Sequence, residues 1–89
     1  MIFKKTGESN GFTILSDDDG NTALFDFIEM TTVETDEYAA LYETDTGNIV
    51  ILRIAEDGAA ETYETVDDDD VFERVCRAFA EEFPDEFDF

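Results

Sequence analysis

Histidine is absent from this chain, cysteine and proline occur once each, and lysine and arginine together number five. Each gap removes a class of chemistry. Without histidine there is no Ser-His or Cys-His nucleophile pair and no imidazole metal ligand. The single cysteine, Cys76, cannot form an intrachain disulfide. No cluster of cations exists to grip the phosphates of DNA or RNA directly. A glycine-rich phosphate loop with its lysine is also missing. No stretch approaches the ~18 apolar residues of a membrane span. The opening MIFKKTGESNGF has no apolar run after its lysines, so no secretory leader is expected and a cytoplasmic location is.

What is present in excess is acid. Twenty-five residues are Asp or Glu, which gives a net charge of −20 over 89 residues. Such a chain repels nucleic acid and anionic membrane surfaces, and it attracts basic proteins and divalent cations. Acid this dense is also a mark of disorder. Against that stand an apolar fraction of 43%, nine phenylalanines and three tyrosines, too many for an acidic tail. The length allows one domain with a modest core. Its expected limits are residues 12–83, preceded by a loose N-terminal segment, 1–11, and followed by an acidic-aromatic tail, 84–89.

Turn signals at Asp19-Gly20, Thr46-Gly47 and Asp57-Gly58 separate apolar, β-rich segments. These predict strands at Phe12–Ser16, Thr22–Met30, Glu37–Thr44, Ile49–Ala55 and Glu61–Val66, with a longer polar connection over Thr31–Asp36. Short connections make neighbouring strands antiparallel. Asp67–Asp70 offers N-cap residues and suits the positive end of a helix dipole. Val71, Phe72, Val75, Cys76, Phe79 and Phe83 then draw one apolar helical stripe, ended by Pro84. The expected fold is α+β: an antiparallel meander of about five strands with one C-terminal helix packed across one face.

Two-residue loops at the turns would set a register. Leu15 would then face Leu24, Ile14 Phe25, and Phe12 Phe27, so that Phe12, Ile14, Ala23, Phe25 and Phe27 form one apolar surface. In the second half Leu41 would face Leu52, Ala39 Ile54, and Tyr63 Leu52. That makes Ala39, Leu41, Val50, Leu52, Ile54 and Tyr63 core candidates. The helix can cover one face only. The other would carry Leu15, Leu24, Asp26, Ile28, Met30, Ala40, Tyr42, Ile51, Arg53 and Glu64, more apolar than a solvated face requires; of these, Leu24, Asp26, Ile28, Tyr42, Ile51, Arg53 and Glu64 are the candidate partner-contact residues. Arg53 is the only cation on an expected strand, with Glu64 its diagonal neighbour.

Other features have plainer readings. Cys76 lies on the apolar stripe and behaves as a small hydrophobe. Asp26 interrupts an apolar run, but alternation turns it to the less buried face. Asp17-Asp18-Asp19-Gly20-Asn21 resembles part of a calcium loop, yet Leu15 would fall on the first ligand position, so a hairpin turn fits better. Asp67–Asp70 reads as capping and solvated charge. No catalytic residue, cofactor or metal ligand is assigned. Beyond Pro84, acid and aromatic residues alternate in a tail that could fray, fold back through Phe87 and Phe89, or dock on a partner.

The order of these motifs resembles the DUF1292 family, also called UPF0473. It is carried by Phe12-Thr13-Ile14-Leu15 before Asp17–Asn21, then Ala23–Phe27, Glu37–Tyr42, Ile49–Ile54, Glu56-Asp57, and Val66 with the acid run and Val71–Val75. It spans about residues 12–83; the first eleven residues and the Phe-rich tail depart from it. The resemblance implies a small, acidic, cytosolic bacterial protein, chiefly of Firmicutes, in a family with no established activity and no active-site residues to carry over. Family members are often encoded near a Holliday-junction resolvase-like protein, which points towards nucleic-acid metabolism without assigning a role. The functional expectation is a non-enzymatic interaction module that binds a basic protein surface, with nucleic-acid mimicry as one form of it. The alternatives are a self-associating structural protein, for instance a homodimer, and a carboxylate-based metal-binding protein.

Overall fold

Asn10 and Gly11 both adopt positive φ, 53° and 86°. That is the backbone of a two-residue Asn-Gly hairpin loop, and Ser9 and Phe12 pair directly across it. The computed structural model, which describes residues 2–58 and 60–87, therefore begins with a strand where a loose segment was expected. The described residues form six strands and one helix: β1 (Ile2–Ser9), β2 (Phe12–Ser16), β3 (Thr22–Val33), β4 (Asp36–Glu43), β5 (Ile49–Asp57), β6 (Ala60–Thr65) and α1 (Asp69–Glu82). Every pairing is antiparallel. β1 also pairs with β6, Phe3 opposite Tyr63, so the meander is not an open sheet but a closed barrel. The α+β class holds; the strand count and the closure correct the expectation. The connection expected over Thr31–Asp36 shrinks to Glu34-Thr35, because β3 continues to Val33, which pairs with Asp36.

The first register differs from the expected one by a single residue. Asp19-Gly20 is not a two-residue loop. The amide of Gly20 donates to the Asp17 carbonyl at 3.2 Å and that of Asp17 to the Asn21 carbonyl at 3.0 Å, giving a three-residue loop with Gly20 at φ 86°. Such a loop needs glycine at its last, left-handed position. The pairs become Ile14↔Leu24 and Leu15↔Ala23, and a one-residue shift exchanges faces. Thr13 and Leu15, not Phe12 and Ile14, therefore share the inner face with Ala23, Phe25 and Phe27. At the other two hairpins the shift is two residues, with Ala39↔Leu52 and Ile54↔Tyr63, so faces are kept. Ala39, Leu41, Val50, Leu52, Ile54 and Tyr63 all belong to the inner core, with Leu15 and Phe25.

The helix covers the outside. Asp68 caps it, its carboxylate accepting from the amides of Asp70 and Val71 at 2.9 and 3.1 Å. Val75 and Phe79 are buried against Tyr38, Ala40 and Ile51 of the outer face, with Ile28, which occupies a β-bulge between Phe27 and Glu29, packed beside them. Closure explains the choice of face. Once the sheet buries its inner side against itself, only the outer apolar side remains for the helix. After Pro84 the chain turns back, the amides of Glu86 and Phe87 both donating to the Phe83 carbonyl at 3.0 Å. Phe87, 3% exposed, lies against Phe79 with ring centroids 5.1 Å apart. Phe89 lies outside the described residues.

Two outcomes test this packing. Phe87→Ala should lower stability by on the order of 3 kcal/mol, the cost of emptying a buried Phe site, measured by urea unfolding; a frayed tail would show almost none. Glu29, on β3, is raised above the ordinary carboxylate value by loss of hydration and by the nearby carboxylate of Glu86. A raised folded value contributes stability fully present below the unfolded value and lost as pH rises through the folded one. Glu29→Gln should therefore melt higher than the parent at pH 7, and the difference should vanish in mild acid.

Candidate functional site

The barrel has two ends, and their chemistry differs. At the end carrying the β1–β2, β3–β4 and β5–β6 loops, a cavity of about 360 Å³ is lined by Phe27, Met30 and Ile54 together with Lys5, Glu8, Glu37, Glu61 and Tyr63. Lys5 Nζ lies 2.9 Å from Glu8 Oε1, and the Tyr63 hydroxyl donates to Glu61. The Glu8 hydrogen bond holds the Lys5 ammonium above its usual range, partly offset by lost hydration. Burial, then the Glu61 contact, pushes the Tyr63 phenol well above its ordinary value. These polar groups are thus largely matched to one another.

At the opposite end, β5 outruns its neighbour. Its pairing with β6 begins only at Leu52↔Thr65, so Ile49, Val50 and Ile51 have β4 on one side and no β6 on the other. The gap is a cleft of about 340 Å³ whose walls are Phe3, Phe25, Val50, Leu52, Val66 and Phe72, with Glu43 at its edge. Ile49 and Phe72 are 49% and 41% exposed at its lip. Tyr42, paired with Ile49, and Leu24, diagonal to Tyr42, continue the apolar surface outwards at 40% and 39% exposure. Phe72 was expected in the buried stripe; it lies on the flank of α1 that overhangs this cleft instead.

The candidate contact residues are divided by the fold. Leu24, Asp26 and Tyr42 are exposed on the outer face. Ile51 is buried under the helix and Ile28 packs beside it, so neither stands open on the outer face as expected, a correction that follows from the helix lying outside; Ile51 reaches the surface only at the floor of the cleft. Arg53 directly faces Glu64, rather than diagonally, pairs with it, and lies 3.7 Å from Asp36. The residues that sequence reasoning missed are Ile49 and Phe72. Their signal was weak: only the end of β6 relative to β5 exposes them.

The acid clusters are occupied locally. Asp17 Oδ1 accepts from the amides of Asp19 and Asn21, each at 2.9 Å, and Oδ2 from the Asn21 side chain at 3.3 Å. Lost hydration raises the Asp17 carboxyl, but the hydrogen bonds from Asn21, Asp19 and Gly20 outweigh this and hold it below the usual range. Among the described residues no group of three or more Cys, Asp or Glu side chains is placed to hold a metal ion. Cys76 is half-buried in the helix–barrel contact, and burial raises its thiol, which disfavours a reactive thiolate. Among the described residues no helix is long and apolar enough to cross a membrane.

The tyrosines give a check on this geometry. Burial raises the phenol of Tyr38 as well as that of Tyr63. Alkaline titration followed by phenolate absorbance should show ionisation lagging beyond the ordinary tyrosine range, and Tyr63→Phe should remove the latest step. Amplitude lost from the ordinary tyrosine range instead would show that the Tyr63 phenol is not shielded as the structure places it.

Comparison with known proteins finds no curated protein and no solved structure that matches significantly. A family model does match, over residues 18–83. It starts within the Asp17–Asn21 loop and runs through β3 to the end of α1, so it takes in the residues that line the apolar cleft except Phe3, which lies on β1. On that match, which spans most of its length, the chain belongs to the family described as protein of unknown function (DUF1292).

Proposed function

We propose that this protein is a non-enzymatic interaction module that binds a basic protein surface. The observation that carries the reading is how little of its acid is neutralised from within. Lys5, Arg53, Arg74 and Arg77 are each in an ion pair, and together they engage only Glu8, Asp36, Glu64, Glu34 and Glu73. Among the described residues five carboxylates are thereby paired, while the full sequence carries 25. Asp18 and Asp19 stand exposed on a hairpin loop braced by its own hydrogen bonds, and Asp67–Asp70 stand exposed at the head of the helix. Carboxylates fixed on a closed barrel present a preorganised negative surface, which steers a cationic partner and loses little entropy on binding. Nucleic-acid mimicry is the finer form of this reading: ordered carboxylates would occupy a partner's phosphate-binding surface.

Two measurements check it. Raising salt from low to about 0.5 M should raise the melting temperature, since screening relieves the self-repulsion of −20 charges. Capture from native lysate at low salt, eluted in salt steps and read by mass spectrometry, should yield one basic protein near stoichiometrically. A smear of basic proteins released at the first step would mean ion exchange alone and would remove this reading.

A further inference from the structure

We propose that the cleft between Ile49–Ile51 and Phe72 is the docking site for a lysine- or arginine-rich amphipathic segment of the partner, with an apolar anchor side chain filling the cleft. This rests on the basic-partner reading above and gives it a location. Charge alone gives attraction without position; position needs a concave apolar anchor point. The cleft is such a concavity, with walls mainly of Phe, Val and Leu and a size of about 340 Å³, within the ~300–1,000 Å³ range of ligand pockets. Its lip is not self-covered: Ile49 and Phe72 remain about half and two-fifths exposed.

The frame around the cleft chooses the occupant. Glu43 lines it, exposed Asp26 faces Tyr42 across the β3–β4 pair, and Asp68, Asp69 and Asp70 precede Phe72 with only Val71 between. Those three carboxylates outweigh the half-charge of the helix N-terminus. No lysine or arginine lines the cleft among the described residues. A segment with leucine-like anchors between cations therefore matches it twice, in shape and in sign. A second copy of this chain matches it poorly. A two-fold contact would set each acidic frame against its own image, at a net charge of −20 per copy.

The test uses the full chain, isotope-labelled, at about 0.15 M salt, where exposed charges are screened beyond ~8 Å. It is titrated with a short amphipathic leucine–lysine peptide and with a serine–lysine peptide of equal charge. The expected result is saturable binding of the first, with amide shifts centred on Leu24, Tyr42, Ile49 and Phe72. The second should bind at least about tenfold more weakly, and Ile49→Ser with Phe72→Ser should weaken the first by a similar factor. Both substituted residues are exposed, and a far-UV spectrum and melting curve confirm the variant's fold; the shift map on the parent chain stands even without it. If both peptides bind alike, or the shifts centre on Asp17–Asp19, the cleft proposal is overturned while the basic-partner reading survives. If neither binds, the cleft proposal is overturned and the salt-step capture decides the wider reading separately. A concentration-dependent dimer lost in the variant would overturn it in favour of a second copy.

Discussion

The pairing of β1 with β6 is the contact on which the rest of the molecule depends. With Phe3 set opposite Tyr63, the sheet closes on itself, and its inner side gathers Leu15, Phe25, Ala39, Leu41, Leu52 and Tyr63 into one core. An up-and-down meander without that pairing would need the helix to cover its apolar side. Closure releases α1 to pack on the outside, over Tyr38, Ala40 and Ile51. It also spares the protein two exposed strand edges, which are the usual route to unwanted pairing with other chains.

The local pattern was legible where propensity and turn chemistry agree. Five strands, the helix, its acidic cap and the inner core of β4, β5 and β6 follow from alternation, Gly turns and helical spacing. β1 was not legible from its side chains, because Lys4-Lys5-Thr6-Gly7-Glu8-Ser9 has no apolar alternation beyond Phe3. Its signal lay in Asn10-Gly11, the dipeptide most characteristic of a tight hairpin. The register at Asp17–Asn21 failed for a different reason. Asp17 folds its carboxylate back onto the loop amides, adding a residue to the loop and turning Leu15 inward. A choice of one residue in loop length thus decided which face of β2 is core.

The candidate site was half legible for the same reason. Leu24 and Tyr42 were identified as exposed, and they are. Ile28 and Ile51 were placed beside them because the helix was expected on the opposite face. Ile49 and Phe72 could not be found from alternation, since their exposure depends on β6 stopping at Thr65 while β5 continues. That is a difference in strand length at a barrel end, a tertiary feature with no local signature. The negative charge, by contrast, is visible in composition alone; what the fold adds is where on the barrel it is displayed.

Closure also orders events in time. Ile2 cannot meet Glu64 until the β5–β6 hairpin has left the ribosome, so the longest-range contact of the barrel forms last and slowly. Throughout that interval a growing sheet presents both apolar faces, with the helix not yet made to cover one of them. Asp17-Asp18-Asp19, Asp45, Asp57 and Asp67–Asp70 fall at the ends of the emerging strands, where charged residues act as gatekeepers against association. Like charges at those ends oppose pairing between incomplete sheets of separate chains while β1 still lacks β6. The acid that marks the folded surface is therefore also set where an unclosed sheet is most open to other chains.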